Sequence, residues 1–164
     1  MRAIAPEPAS YARWVSPRPN LPDWHRSPPD AVTPDRAHVQ RWLDAYVAAW
    51  QSYDPVAIAD LWTEDARWVY PFGIRAHGRD EIVAEWLAER DLFAGRGYDA
   101  AYEPIAIDGG VVVTHGRTLF FDPVTGERQA EFDNVWVLRF GPDGRCAEFH
   151  EWYAGRPEHD PTRA

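Results

Sequence analysis

The stretch Glu131 to Tyr153, EFDNVWVLRF-GPDG-RCAEFHEWY, reads as two amphipathic strands joined by a tight turn. By the two-residue period of a strand, Phe132, Asn134, Trp136, Leu138 and Phe140 share one face, and Glu131, Asp133, Val135, Val137 and Arg139 share the other. Proline presets φ and glycine accepts positive φ, so Pro142, Asp143 and Gly144 supply turn chemistry and the chain returns antiparallel from Arg145. With Phe140 opposite Arg145, Trp136 faces Phe149, Asn134 faces Glu151 and Phe132 faces Tyr153. The outline is that of a pocket wall, aromatic with two polar groups that need partners.

The region upstream continues the pattern. Tyr98 to Ile107 and Val111 to Phe121 read as strands about the turn Asp108-Gly109-Gly110, and a loop through Pro123 and Gly126 leads to the hairpin. Helices come before them. Thr33-Pro34 has the chemistry of a helix start, and Val39, Trp42, Leu43, Tyr46, Val47 and Trp50 recur at three- and four-residue spacing up to Ser52. Asp54-Pro55 begins a short second helix burying Ile58, Leu61 and Trp62. Ala66 to Tyr70 is a short strand broken by Pro71-Phe72-Gly73, with His77 in the loop beyond it. A third helix runs from Asp80 to Phe93 with Ile82, Val83, Trp86 and Leu87 inward, and Gly95 and Gly97 end it. Helices followed by a meander predict an α+β fold, with three helices packed on one face of a strongly curved antiparallel sheet that forms a cone-shaped pocket.

Seven prolines between Pro6 and Pro29 deny the N-terminal segment helix and ladder hydrogen bonds. The expected organisation is a proline-rich extended arm over residues 1–33, one domain over 34–155 and a flexible tail over 156–164. Tyr11, Trp14 and Trp24 leave two readings of the arm open, a solvated tail or a strap across the domain or a partner subunit.

Composition narrows the chemistry. A net charge of -9 and scattered arginines argue against nucleic acid and anionic membrane as partners. All 17 basic residues are arginine, so no lysine can form a Schiff base. Cys146 is the single cysteine, three of the four serines lie in the arm, and no GxSxG turn occurs. Acid/base work by His, Tyr and carboxylates is what remains. No His/Asp/Glu cluster has metal-ligand spacing and no glycine-rich phosphate loop is present, so neither metal nor cofactor is expected. With no apolar run at the N-terminus, a cytoplasmic protein is expected.

Several motifs occur in this order: Tyr53-Asp54-Pro55, Thr63-Glu64-Asp65-Ala66, Tyr70-Pro71-Phe72-Gly73, Gly78-Arg79-Asp80-Glu81-Ile82, Val137-Leu138-Arg139-Phe140 and Asp143-Gly144-Arg145. Together they make residues 37–154 resemble the SnoaL-like branch of the nuclear transport factor 2-like superfamily. The resemblance implies a deep pocket between helices and concave sheet, and a homodimer through the sheet. It also implies which chemistries differ. The carboxylate base of ketosteroid isomerases falls on Tyr70, and Trp136 replaces both their second pocket acid and the acid of SnoaL-type cyclases. Glu151 is similar to one strand carboxylate of the limonene-epoxide-hydrolase type, whose Arg-x-Asp pair is not reproduced around His115 and Arg117. Scytalone dehydratases give the fullest correspondence, their catalytic residues being similar to Tyr53, Asp54, Tyr70, His115 and Asn134. Their second histidine has no counterpart in 90–98.

The expected catalytic set is therefore His115, Tyr70, Asn134 and Glu151, with Tyr53, Trp68, Trp136, Phe149 and Tyr153 binding substrate. His115 is the natural proton carrier near neutral pH. Its face stays open, because the loop from Asp122 to Gly126 has no fixed register. With Asp133 opposite it, His115 and Arg117 would instead form surface or interface pairs. Each other polar residue also has a structural reading: Asp54 as a helix cap, Tyr53 and Tyr70 as packing, Asn134 and Glu151 as a satisfied pair. The expected function is a cofactor-independent small-molecule enzyme of dehydratase, isomerase or cyclase type, moving protons on a hydrophobic oxygenated substrate. The alternative is a non-catalytic ligand-binding or dimeric assembly protein of the same fold.

Overall fold

The structure, a computed structural model, describes residues 32–71, 73–90 and 94–155. The expected arm lies outside them up to residue 31, as does the tail from 156. Helix α1 spans Arg36–Ser52, and its N-cap is Asp35 rather than Thr33: the aspartate accepts from the His38 N–H at 2.6 Å. It ends on Tyr53, which adopts a left-handed conformation (φ 49°) and donates its N–H to the Ala49 carbonyl. Asp54 then accepts from the Val56 N–H and Pro55 occupies the first turn of α2, Pro55–Asp60. Helix α3, Arg79–Glu89, follows Gly78, and Glu81 in its first turn accepts the His77 N–H at 3.0 Å.

Six strands form one sheet: β1 Trp62–Tyr70, β2 Gly73–His77, β3 Gly97–Asp108, β4 Val111–Phe121, β5 Arg128–Phe140 and β6 Cys146–Gly155, in the order β2-β1-β6-β5-β4-β3. The fold is α+β, three helices on a curved sheet, as expected. Five details differ. The pairing of β1 with β6 is parallel, so the sheet is not wholly antiparallel. The first strand is longer, beginning at Trp62, and Gly73–His77 is a paired edge strand rather than a loop. The third helix stops at Glu89, and residues 91–93 of its expected extent lie outside the described residues. The hairpin register is shifted by two, with Trp136 opposite Glu151 and Asn134 opposite Tyr153, because a bulge at Arg139/Phe140 lengthens the turn. A two-residue shift conserves the face of every side chain. Asn134 and Glu151 therefore remain on one side.

The concave face and the helices share a core of aromatic rings. Tyr46 of α1 stacks on Phe149 (5.7 Å, 9° between planes) and touches Trp136 and Trp86. The Trp42 indole donates to the Leu61 carbonyl at 2.9 Å, tying α1 to the end of α2. Trp62, Trp68, Trp86, Trp136 and Phe149 are at most 1% exposed, and truncating any one of them to alanine would cost about 3–5 kcal/mol. Among the described residues no helix is long and apolar enough to cross a membrane.

Candidate functional site

Beyond this core the concave face opens into a cavity of about 200 Å³. Four neighbouring strands place polar side chains there that form one connected row. Tyr102 of β3 meets the Thr118 hydroxyl of β4 at 2.5 Å, and Thr118 donates to Asn134 Oδ1 of β5 at 3.3 Å. Asn134 Nδ2 in turn donates to Glu151 Oε1 of β6 at 3.3 Å. Because Thr118 spends its proton on Asn134, Tyr102 is the donor to Thr118, and the whole chain points its hydrogens toward Glu151. Gly116 makes the first link possible. The Tyr102 ring lies so close over it that any added Cβ would run into the ring.

Glu151 is 8% exposed, and Trp136 Nε1 also donates to its Oε1, at 3.2 Å. Burial pushes its carboxyl up to about 7, against the pull of the Trp136 and Asn134 hydrogen bonds and with added repulsion from Glu89. The Trp68 indole N–H favours the charged form more weakly and has no hydrogen-bond partner among the described residues. Oε2 accepts no hydrogen bond from a described residue, while Glu151 lines the cavity. Near neutral pH the group exists in both protonation states, with one oxygen tethered and the other available. Such a carboxyl can give or take a proton.

The other walls come from Trp50, Tyr98, Phe120 and Phe132, with Glu89 of α3 at the rim, paired to Arg75 at 3.1 Å. Burial raises the Glu89 carboxyl as well, opposed by Arg75. Desolvation likewise drives the Tyr46, Tyr70 and Tyr98 phenols up and holds Tyr102 at about 12, so all four stay neutral donors at neutral pH.

Of the residues named from sequence, Glu151, Asn134, Tyr70, Trp68 and Tyr153 line this cavity. His115 does not. It is exposed on the outer face opposite Val135, since Gly116 and not His115 stands across from Asn134. Its neighbour Arg117 pairs there with Glu131 at 3.1 Å and with Asp133 at 3.8 Å, close to the surface alternative. Trp136 and Phe149 belong to the core behind the wall, Trp136 acting on the site only through its N–H to Glu151. Tyr53 borders a separate groove on the far side of Trp50 and Tyr98. With Asp54 capping α2 and His115 outside, the set similar to scytalone dehydratases is not brought together. Sequence reasoning missed Glu89, Tyr98, Tyr102 and Thr118. Glu89 had a signal: it follows Ile82 and Trp86 on the inner stripe of α3.

A small α+β scaffold whose cone holds one buried carboxyl among aromatic rings is the class of protein that fold and site define. The sequence profile of the SnoaL-like domain matches residues 43–149, and the chain belongs to that family of the nuclear transport factor 2-like superfamily. No curated protein matches the sequence. Among solved structures, a candidate isomerase of the SnoaL-like family from Agrobacterium tumefaciens is similar at 22% identity and TM-score 0.56, over 73% of this chain and 99% of that one. An LEH-like epoxide hydrolase from M. tuberculosis is similar at 17% identity and TM-score 0.56, over 74% of this chain and 86% of that one. An NTF2-like protein with a cystatin-like fold from Novosphingobium aromaticivorans shares 24% identity at TM-score 0.55, over 79% and 86% of the two chains. At these identities the likeness establishes the fold, and activity has to be argued from the site.

Proposed function

We propose that the cavity performs acid/base proton transfer on a hydrophobic, oxygenated small molecule, in a dehydration, isomerisation or ring closure. The observation that carries this is Glu151: a buried carboxyl with its pKa pushed up to about 7, one oxygen held by Asn134 and Trp136, the other accepting no hydrogen bond from a described residue, beside the cavity. Glu151 moves the proton. Asn134, backed by Thr118 and Tyr102, fixes its orientation and supplies polarised donors as charge develops. The Tyr70 hydroxyl is a donor for a substrate oxygen, and so is the Trp68 N–H, which leans on Glu151 and makes no geometric hydrogen bond to a described residue. The aromatic walls supply the affinity.

The test follows α-proton exchange and water loss by proton NMR, with the protein in D₂O and a panel of aryl ketones and β-hydroxy ketones. Turnover that disappears in Glu151→Gln while the fold is retained is the expected result. Exchange that persists in Glu151→Gln would overturn the assignment.

A second reading, ligand binding without catalysis, draws support from the same hydrogen bonds, since Asn134 and Glu151 satisfy one another within the wall. It predicts a co-purified ligand that is never transformed.

A further inference from the structure

The cavity has a sign of charge. Two carboxyl groups line it, Glu151 in the wall and Glu89 at the rim, and among the described residues no arginine or histidine does. Arg75 lies over the Tyr70 ring at 5.7 Å from its centroid and is paired with both Glu85 (2.9 Å) and Glu89 (3.1 Å), so its charge is already balanced by carboxylates. The remaining surface is largely ring: Trp50, Trp68, Tyr70, Tyr98, Phe120 and Tyr153 among others. Aromatic faces are the negative side of the ring quadrupole, and a desolvated ring attracts a cation more strongly than an exposed one. An anionic ligand meets the two carboxyl groups here and, among the described lining residues, no cation.

We propose that the ligand carries a cationic nitrogen, a protonated or quaternary amine on an apolar body, with the ammonium beside Glu151 and the body against the rings. The inference rests on the cavity being the working site and deepens that reading by naming a substrate class. Its mechanistic consequence concerns the starting state of the carboxyl. The groups facing Glu151 are Glu89 from α3, Tyr46 from α1, Tyr70 from β1, Tyr98 and Tyr102 from β3 and Tyr153 from its own strand. Of these only Glu89 bears charge as a carboxylate, and it repels. A bound ammonium reverses that balance and leaves Glu151 ionised, so it enters the reaction as a base. Binding near neutral pH then releases a proton to solvent.

The experiment compares three probes of one shape: benzyltrimethylammonium, its neutral carbon isostere neopentylbenzene, and phenylmethanesulfonate. Binding is followed by tryptophan fluorescence and calorimetry at a pH where Glu151 is ionised. The ammonium is expected to bind at least about tenfold more tightly than the sulfonate. Glu151→Gln is expected to remove most of that margin while leaving the neutral isostere's affinity unchanged, and Glu89→Gln to remove a smaller part of it. Equal or tighter binding of the sulfonate, a loss shared by all three probes in Glu151→Gln, or no ammonium binding up to the millimolar range would overturn the proposal. Binding alone is read here. Persistent exchange in Glu151→Gln would sink proton transfer without touching the charge preference, and a sulfonate preference would do the reverse.

Discussion

Glu151 and Glu148 stand three residues apart on β6, face opposite sides of the sheet, and have carboxyl groups driven in opposite directions. Burial raises both. At Glu151 the opposing groups are neutral donors, Trp136 and Asn134 foremost, and the pKa rises to about 7. At Glu148 the His150 ring, Arg67 Nη2 at 2.8 Å and Arg139 Nε at 3.1 Å overcome burial and hold the carboxyl below its ordinary value. One strand thus carries a raised carboxyl on its inner face and a fixed anion on its outer face.

The raised group predicts a loss of stability as pH rises from about 4.5 to about 7. A carboxyl whose folded pKa lies above its unfolded value stabilises fully below about 4.5 and loses that contribution as pH rises through about 7. The loss amounts to about 3 kcal/mol at most. Glu151→Gln cannot ionise, so its melting temperature should overtake that of the wild type above pH 7 and fall no further behind as pH decreases below 4. Parallel Tm profiles across that range would contradict this.

The depressed group predicts the reverse on the acid side. Glu148 contributes stability above its unfolded pKa and loses it as pH falls through its lower folded value. Arg139 is only 4% exposed, so Glu148→Ala removes the anion from a buried guanidinium and should cost about 3–5 kcal/mol in urea unfolding at pH 7. The same variant should lack the steep acid arm of the wild-type stability curve.

His115 is exposed on the outer face, away from the cavity. His115→Ala should change stability by less than about 0.5 kcal/mol and leave exchange activity at its wild-type rate. A loss of turnover with the fold intact would restore the histidine to the mechanism.

Gly116→Ala probes the far end of the hydrogen-bond chain. Its methyl group would collide with the Tyr102 ring, which is packed against Trp136 at 4.0 Å. The expected cost is about 1–3 kcal/mol, with turnover reduced although no cavity-lining residue has been replaced. Tyr102→Phe separates the two effects, removing only the hydroxyl that Thr118 meets.

The hairpin from Glu131 to Tyr153 was legible in outline because period-two alternation survives an error of two in register. The turn was longer than its Pro-Asp-Gly signal implied, yet Asn134 and Glu151 kept both their face and their contact. His115 had no such protection. Its face depended on the loop Asp122–Glu127, where Asp122 accepts from the N–H groups of Val124 and Thr125 and the register shifts just before the loop, at Phe120/Phe121. A one-residue change there reverses every side chain. Edge strand β2 was hidden because Pro71 and Gly73 read as a break where the chain makes a tight hairpin. Tyr102 and Thr118 were invisible as a pair, since only the β3–β4 register and the bare Cα of Gly116 bring them together.

The Glu151 carboxyl titrates whatever the substrate is, so its protonation can be read directly. The protein labelled with ¹³C at glutamate Cδ, with the Glu151 resonance assigned by comparison with Glu151→Gln, should show that carboxyl titrating with a midpoint about 7. It should move lower when benzyltrimethylammonium is bound. A midpoint near the ordinary 4.5 would mean that the cavity does not hold a proton carrier at neutral pH, and would contradict the proposed chemistry.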